Sequence, residues 1–186
     1  MFHPNISKEQ VRALIGAMSD SDFARFLYCQ HMAATFMAVA KFENMVVSAI
    51  LICDDMKVGK TDRAADAGSE LIRRHNALNA STLGSMIGIL EKHNVPLTDI
   101  SYLKWLKNKR DHFVHRLFQS GAWPGDLDQE GCRIMIRQLI AIQRWLERGE
   151  QQIWRILERA GFVDVDRCEG GLLVSNVKLN DPNFWG

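Results

Sequence analysis

Two long stretches of the sequence place apolar side chains at alternating steps of three and four residues, the spacing of one face of an α-helix. The first runs from about Asp20 or Ser21 to Cys53, and the second from roughly Asp128 to Ala160. Their apolar positions are Phe26, Cys29, Ala33, Phe36, Ala40, Val47 and Ile50, then Met135, Leu139, Ile142, Leu146, Ile153 and Ile156. Because such a face is stable only when it is covered, the two stretches predict the main helices of an all-α domain.

Three shorter helical segments accompany them. Ser7 and Gln10 suit a capping box at the start of a helix that ends near Met18. After a polar loop, residues 54–68, a further helical region reaches about His93, and residues 79–81 are a point at which it can divide in two. Pro96 stops that region, and Thr98 or Asp99 then caps a helix that continues to about Ser120.

The end of the chain has a different character. Phe162–Val165 and Leu172–Val177 flank Glu169–Gly171, which is the pattern of a small β-hairpin. The predicted fold is therefore an all-α, antiparallel bundle of about five helices in residues 1–160. Residues 161–186 are expected to form a short β-hairpin appendage and tail of the same domain.

Charge and cysteine content narrow the class of protein. A formal net charge of +1 excludes a strongly basic nucleic-acid coat, so any nucleic-acid binding must come from a local patch or pocket. Cys29, Cys53, Cys132 and Cys168 lack CxxC spacing and predict reduced core thiols in a cytoplasmic protein. No signal peptide is evident, and Lys41 and Glu43 interrupt the most apolar run, so no membrane association is expected.

The stretch from Arg110 to His115 carries the chemistry that most directs a functional hypothesis. Arg110 can hold a phosphate oxygen through its rigid donor fork, and His115 can exchange a proton near neutral pH. Asp111 follows Arg110 in the sequence, and its carboxylate can orient Arg110 or weaken the hold of Arg110 on phosphate. Other side chains near it, Lys107, Lys109, Arg116 and His112, are candidates for substrate binding.

Cleavage of RNA by attack of a 2′-hydroxyl on its own phosphate needs a base, an acid and positive charge on the non-bridging oxygens. One Arg110/His115 pair supplies half of this, and a two-fold dimer supplies two of each. On a regular helix, five residues separate the two side chains by about 140°. They would therefore converge better across a dimer, or at a distorted helix, than within one regular helix.

Glu43 is a charged residue among the apolar positions of the first long helical stretch. A carboxylate among apolar positions is costly unless a cation or hydrogen-bond donors meet it. Arg110 or His115 on the neighbouring helix would be a natural partner and would be oriented by it. The alternative is that Glu43 lies at the edge of the stripe and reaches water.

With Arg110, Asp111, three intervening residues and His115 on a helix of such a bundle, the chain resembles HEPN domains over roughly residues 20–160. The resemblance implies metal-independent RNA cleavage, as in many members, with the motifs of two protomers meeting at a dimer cleft. It implies that His115 transfers protons, that Arg110 clamps phosphate, and that no cofactor is needed. Toxin–antitoxin pairs and antiviral defence are common settings of the family, so an antitoxin or regulatory partner is expected.

Three other interpretations stay open. Inactive members of the same family bind a protein partner or a nucleotide instead of cutting single-stranded RNA or tRNA. Lys104, Lys107, Lys109, Arg110 and Arg116 can also be the solvated face of an ordinary surface helix. His112 and His115 have the spacing for a shared metal, but no third ligand is evident, so no metal site is predicted.

Overall fold

The computed structural model describes residues 7–57 and 67–159. In these ranges the chain forms six α-helices and no strand, which confirms the all-α class. The helices are α1 (Lys8–Gly16), α2 (Asp20–Lys57), α3 (Ala67–Asn79), α4 (Leu83–Lys92), α5 (Leu97–Asp111) and α6 (Gln129–Arg159). The predicted β-hairpin lies outside the described residues.

The ends of the helices follow local side-chain chemistry. The capping box of α1 is confirmed, because Ser7 and Gln10 each bond the other's backbone N–H. The break expected at residues 79–81 is also confirmed. It separates α3 from α4, whose first turn is capped by Thr82, and this division accounts for six helices instead of five.

Two predicted caps were wrong. The hydroxyl of Ser19, rather than Asp20 or Ser21, accepts the N–H of Asp22 at the start of α2. Helix α5 begins at Leu97, directly after Pro96, so Asp99 already lies inside the first turn. There the Asp99 carboxylate is buried and pairs with the side chains of Gln152 and Arg159 at the far end of α6.

Consecutive helices from α2 to α6 alternate in direction. Asp54 near the end of α2 contacts Arg74 in α3, and Glu91 near the end of α4 contacts Lys104 early in α5. Three helices therefore separate α2 from α6, and the two run parallel: Thr35 bonds Gln143, and Lys41 pairs with Glu150. This parallel pair closes the bundle.

Helix α6 continues through Gly149 without a break. A Cβ atom at position 149 would collide with the side chain of Leu106 and would lie 2.9 Å from Phe42. Glycine is there because α2 and α5 approach α6 too closely for any larger residue. Position 149 thus fixes how deeply α5 is seated.

The apolar face of α6 is buried as predicted, whereas that of α2 is buried only in part. Val47 and Ile50 lie in the core, but Ala33 and Ala40 are exposed and Phe36 is 44% exposed. Cys29 is exposed as well, which corrects its assignment to the core, while Cys53 and Cys132 are buried, and Cys168 lies outside the described residues. The core positions in this part of α2 are instead Ala24, Tyr28, Thr35, Val39, Phe42 and Val46. Residues 7–57 and 67–159 therefore leave an apolar strip of α2 uncovered.

By length and composition alone, the stretch Asp20–Asp54 of α2 is apolar enough to cross a membrane, and no other helix of the described residues is. In its most apolar window, 39% is buried inside the protein. The core helix of a soluble protein passes the same test, so the observation is weak evidence for a membrane span.

Candidate functional site

The backbone changes its helical type where the candidate motif lies. Helix α5 ends at Asp111 and continues as a π-helical turn, His112–Arg116, named the π turn below. Hydrogen bonds in a π-helix join residues five apart, so one turn takes up more residues than in an α-helix and side chains five apart lie closer to the same side. Nη1 of Arg110 is accordingly 3.5 Å from Nε2 of His115. The separation of about 140° expected for a regular helix does not occur, and the pair converges within one chain.

Tertiary packing accompanies this irregular turn. Phe113, its central apolar residue, is 1% exposed, and its ring lies 4.7 Å from the ring of Phe36 on α2. Leu117, which follows the turn, is also buried. Because both apolar side chains point into the core, His115 is left on the outer side of the turn, where it is exposed.

Arg110 is held between two carboxylates. Its Nη2 lies 2.5 Å from Oε1 of Glu43 on α2, and its Nη1 donates to Oδ1 of Asp111 at 3.0 Å. Glu43, the carboxylate on the apolar stripe, thus has the partner that the sequence analysis expected. The Arg110 side chain is 20% exposed, so this pairing is shielded in part from water.

Lys107 completes the charged cluster, since its Nζ donates to Oδ2 of Asp111 at 2.6 Å. Burial acts to raise the pKa of Asp111, but the hydrogen bonds from Lys107 and Arg110 outweigh it, so the pKa lies below its usual value. The positive charges of Lys107 and Arg110 are therefore balanced by the negative charges of Glu43 and Asp111. The Nε atom of Arg110 is buried and has no hydrogen-bond acceptor within the described residues.

The cluster borders a cleft of about 690 Å³ between α2, the turn joining α3 to α4, and α5. Four of the side chains that line the cleft were predicted to be catalytic, namely Glu43, Arg110, Asp111 and His115. The remaining lining residues are Ala40, Asn44, Val47, Asn79, Ser81, Thr82, Leu83, Gly84, Met86 and Lys107. One cleft thus collects the whole predicted catalytic set from two distant segments of sequence.

Sequence reasoning missed the polar wall of this cleft. Asn79 and Ser81 marked only a break between helices, and Thr82 was not singled out, yet the same break brings all three to the cleft. No sequence pattern pointed to Gly84 as a residue of the site. A Cβ there would lie 2.9 Å from Cε of Lys107, whose stem crosses the glycine on its way to the cleft.

Three residues predicted to bind substrate lie outside the cleft. His112 and Arg116 are exposed and do not line it. Lys109 points elsewhere, with its ammonium group 5.6 Å from the ring of Trp105 and 5.4 Å from that of Trp145. Of the predicted substrate-binding side chains, only Lys107 lines the cleft.

Within residues 7–57 and 67–159, no group of three His, Cys, Asp or Glu side chains is arranged to hold a metal ion. Comparison with known proteins gives no match: no family model fits the sequence, and no curated protein or solved structure is significantly similar to it. The resemblance to HEPN domains therefore depends on residues 110–115 and their helical setting alone.

Proposed function

We propose that this protein is a metal-independent endoribonuclease of HEPN type that cleaves RNA through attack of the 2′-hydroxyl. The observation that carries the proposal is the 3.5 Å approach of Arg110 to His115 at the edge of the cleft. A proton carrier and a fixed cation side by side are the two elements that stabilise the transition state of this reaction.

Each side chain has a part in the proposed chemistry. His115 is exposed on the cleft and takes or gives the proton of a ribose oxygen. Arg110 has five N–H donors, and those that do not bond Glu43 or Asp111 donate to the non-bridging phosphate oxygens. Glu43 and Asp111 hold the guanidinium plane in place, and Lys107 adds a second positive charge. Preorganised charges of this kind need no rearrangement during the reaction.

The reaction needs both a base and an acid, and each chain brings one histidine to the cleft. A homodimer would supply the second. The uncovered strip of α2, in which Phe36 is 44% and Met37 is 74% exposed, supports this arrangement. It adjoins the cleft through Ala40, which belongs to both. A second copy packed on the strip would bury apolar surface and set the two clefts near each other.

A specific observation favours a second candidate, a non-catalytic HEPN-like helical module that binds a protein partner or a nucleotide. The charges of Lys107 and Arg110 are already balanced by Glu43 and Asp111. A phosphate must therefore compete with carboxylates for Arg110, which weakens anion binding in the isolated chain.

Incubation with end-labelled single-stranded RNA and tRNA in excess EDTA distinguishes the two candidates. We expect the wild type to cut RNA and leave a cyclic phosphate, whereas His115→Ala and Arg110→Ala each lose roughly 10²–10⁴-fold in rate. His112→Ala is the matched control, because this histidine lies outside the cleft in the same turn. Intact RNA with a folded wild type would favour the binding module.

We also propose that the nuclease acts in the cytoplasm as the toxic half of a two-component or defence system, restrained by an antitoxin or regulatory protein. Expression of the wild type should then arrest bacterial growth, and His115→Ala should relieve the arrest at equal protein level. Arrest by both proteins would separate toxicity from RNA cleavage.

A further inference from the structure

We infer that the cleft receives a single unstacked nucleotide of single-stranded RNA, with its base against the uncharged side of the cleft and its phosphate beside Arg110 and His115. The inference deepens the proposed function, on which it rests, by assigning the class of substrate and the residues that contact the base.

Most of the charged groups of the cleft come from α5 and the turn that extends it, and Glu43 on α2 is the exception. Lys107, Arg110 and Asp111 lie on α5, and His115 lies on the π turn that extends it. In the turn between α3 and α4, by contrast, the lining residues Asn79, Ser81, Thr82 and Leu83 carry no charge. A nucleotide has the same division, since its phosphate is anionic and its base is neutral.

The floor of the uncharged side is apolar. Val47, Leu83 and Met86 line the cleft and are each 3% exposed, so the core holds them in place. A base has two apolar faces and a polar edge, and it gains stability when a face is taken out of water onto such a surface.

Polar groups stand at the edge of the floor. Within the part of the chain that the structure describes, Asn44 makes no side-chain hydrogen bond, so its amide can donate and accept. Asn79 contacts His75 through its nitrogen, at 3.2 Å, which leaves its carbonyl oxygen for a ligand. Ser81 donates its hydroxyl to the carbonyl of Ala77 and keeps an acceptor site. Asparagine amides are well suited to read the edge of a base.

The size of the cleft suits one unpaired nucleotide. Its volume of about 690 Å³ lies in the range of small-molecule sites, roughly 300–1,000 Å³. A duplex keeps its bases stacked and paired, whereas bases in single strands and loops can be splayed out into a pocket. The nucleotide that enters must therefore come from an unpaired region, or from a free nucleoside phosphate.

The test measures binding separately from cleavage. A fluorescent single-stranded oligonucleotide with 2′-deoxyribose lacks the attacking hydroxyl, so it reports occupancy alone. We expect it to bind the wild type and to bind the double variant Asn44→Ala, Asn79→Ala about 10-fold more weakly. Asn108→Ala is the matched control, because Asn108 is an exposed asparagine on α5 that does not line the cleft. A perfectly paired hairpin stem should not displace the probe.

Equal affinity of the double variant and the wild type would overturn the inference, even if both cut RNA, and would leave the nuclease proposal intact. Binding that depends on the two asparagines, without cleavage of the ribose substrate, would overturn the nuclease proposal and leave the binding of a nucleotide in the cleft intact. Displacement of the probe by an equal concentration of free nucleoside monophosphate would assign a free nucleotide to the pocket and overturn the assignment to RNA. Circular dichroism of each variant confirms that the fold is retained.

Discussion

Lys109 and Arg110 are neighbours in sequence, yet they lie in opposite kinds of surroundings. The ammonium group of Lys109 lies over Trp105 and Trp145, which face away from the cleft. The guanidinium of Arg110 lies between Glu43 and Asp111, beside His115. Helix α5 thus presents an aromatic–cationic face on one side and an ionic cluster on the other.

The difference shows how little a basic stretch of sequence says about where its charges act. One step along an α-helix turns a side chain by about 100°, so adjacent cations face different neighbours. Lys109 is stabilised by the faces of aromatic rings, an interaction that fixes no direction for a ligand. Arg110 is fixed in plane and direction by two carboxylates. Only the second setting prepares a charge for chemistry.

Exchange of the two cations gives the largest expected contrast. Arg110→Lys should lower the rate of RNA cleavage by roughly 10²-fold or more, because a lysine cannot hold Glu43, Asp111 and a phosphate at once. Lys109→Arg should cleave at the wild-type rate, since arginine also packs on aromatic rings. Single-turnover rates in EDTA measure both. Similar losses in the two variants would abolish the distinction between the faces.

The two faces of α5 share one buried side, where Gly149 admits Leu106. Gly149→Ala should lower the free energy of unfolding by about 1–3 kcal/mol, because its Cβ has no space beside Leu106 and Phe42. Gly88→Ala is the control, as nothing lies within 4 Å of a Cβ there; it should raise stability by up to about 1 kcal/mol. Urea denaturation measures both changes, and a Gly149→Ala protein as stable as the wild type would show that the contact of α6 with Leu106 and Phe42 does not require glycine.

Replacement of Lys109 by alanine tests whether its cation–π contacts stabilise the fold. Lys109→Ala should lower the free energy of unfolding by about 0.5–1 kcal/mol, the usual contribution of an exposed cation–π contact, and should leave cleavage unchanged. Thermal unfolding and the RNA assay measure the two effects on the same preparation. A loss of cleavage as large as that of Arg110→Ala would restore Lys109 to the substrate-binding surface.

The smallest effect concerns Asp111, whose pKa is lowered by its hydrogen bonds to Lys107 and Arg110 despite its partial burial. A lowered carboxyl pKa stabilises the fold above the unfolded value, near 3.9, and the contribution disappears as pH falls through the folded value. Asp111→Asn should therefore be less stable than the wild type at pH 7, by about 0.5 kcal/mol. Urea denaturation from pH 7 to 3 should show this difference vanish in acid. A constant difference would mean that the charge of Asp111 is not its cause.

Periodicity predicted most of the fold and part of the site. The face of α6, the break before α4 and the partner of Glu43 all follow from short-range rules. The same periodicity could not separate the buried end of α2, at Val47 and Ile50, from its uncovered strip, because both have the same spacing. Burial is decided by which helix lies opposite, and that is a property of the whole chain.

The irregular part of the site was beyond such rules. Nothing in residues 110–115 alone distinguishes a π turn from a regular helix, since its buried residue, Phe113, is held by Phe36 some 77 positions earlier. Asn79 and Ser81 were visible only as helix breakers. Their place on the cleft depends on the path of α3 and α4 past α5.

The π turn can also be regarded as one residue inserted into a regular helix. Deletion of His112, an exposed residue of this turn, would bring the arginine and the histidine to a spacing of four, which places them side by side on an ordinary α-helix. The local pair would survive, but every residue after it would be rotated relative to the core. In this chain, therefore, the extra residue serves less to join the two site residues than to set where the chain goes next.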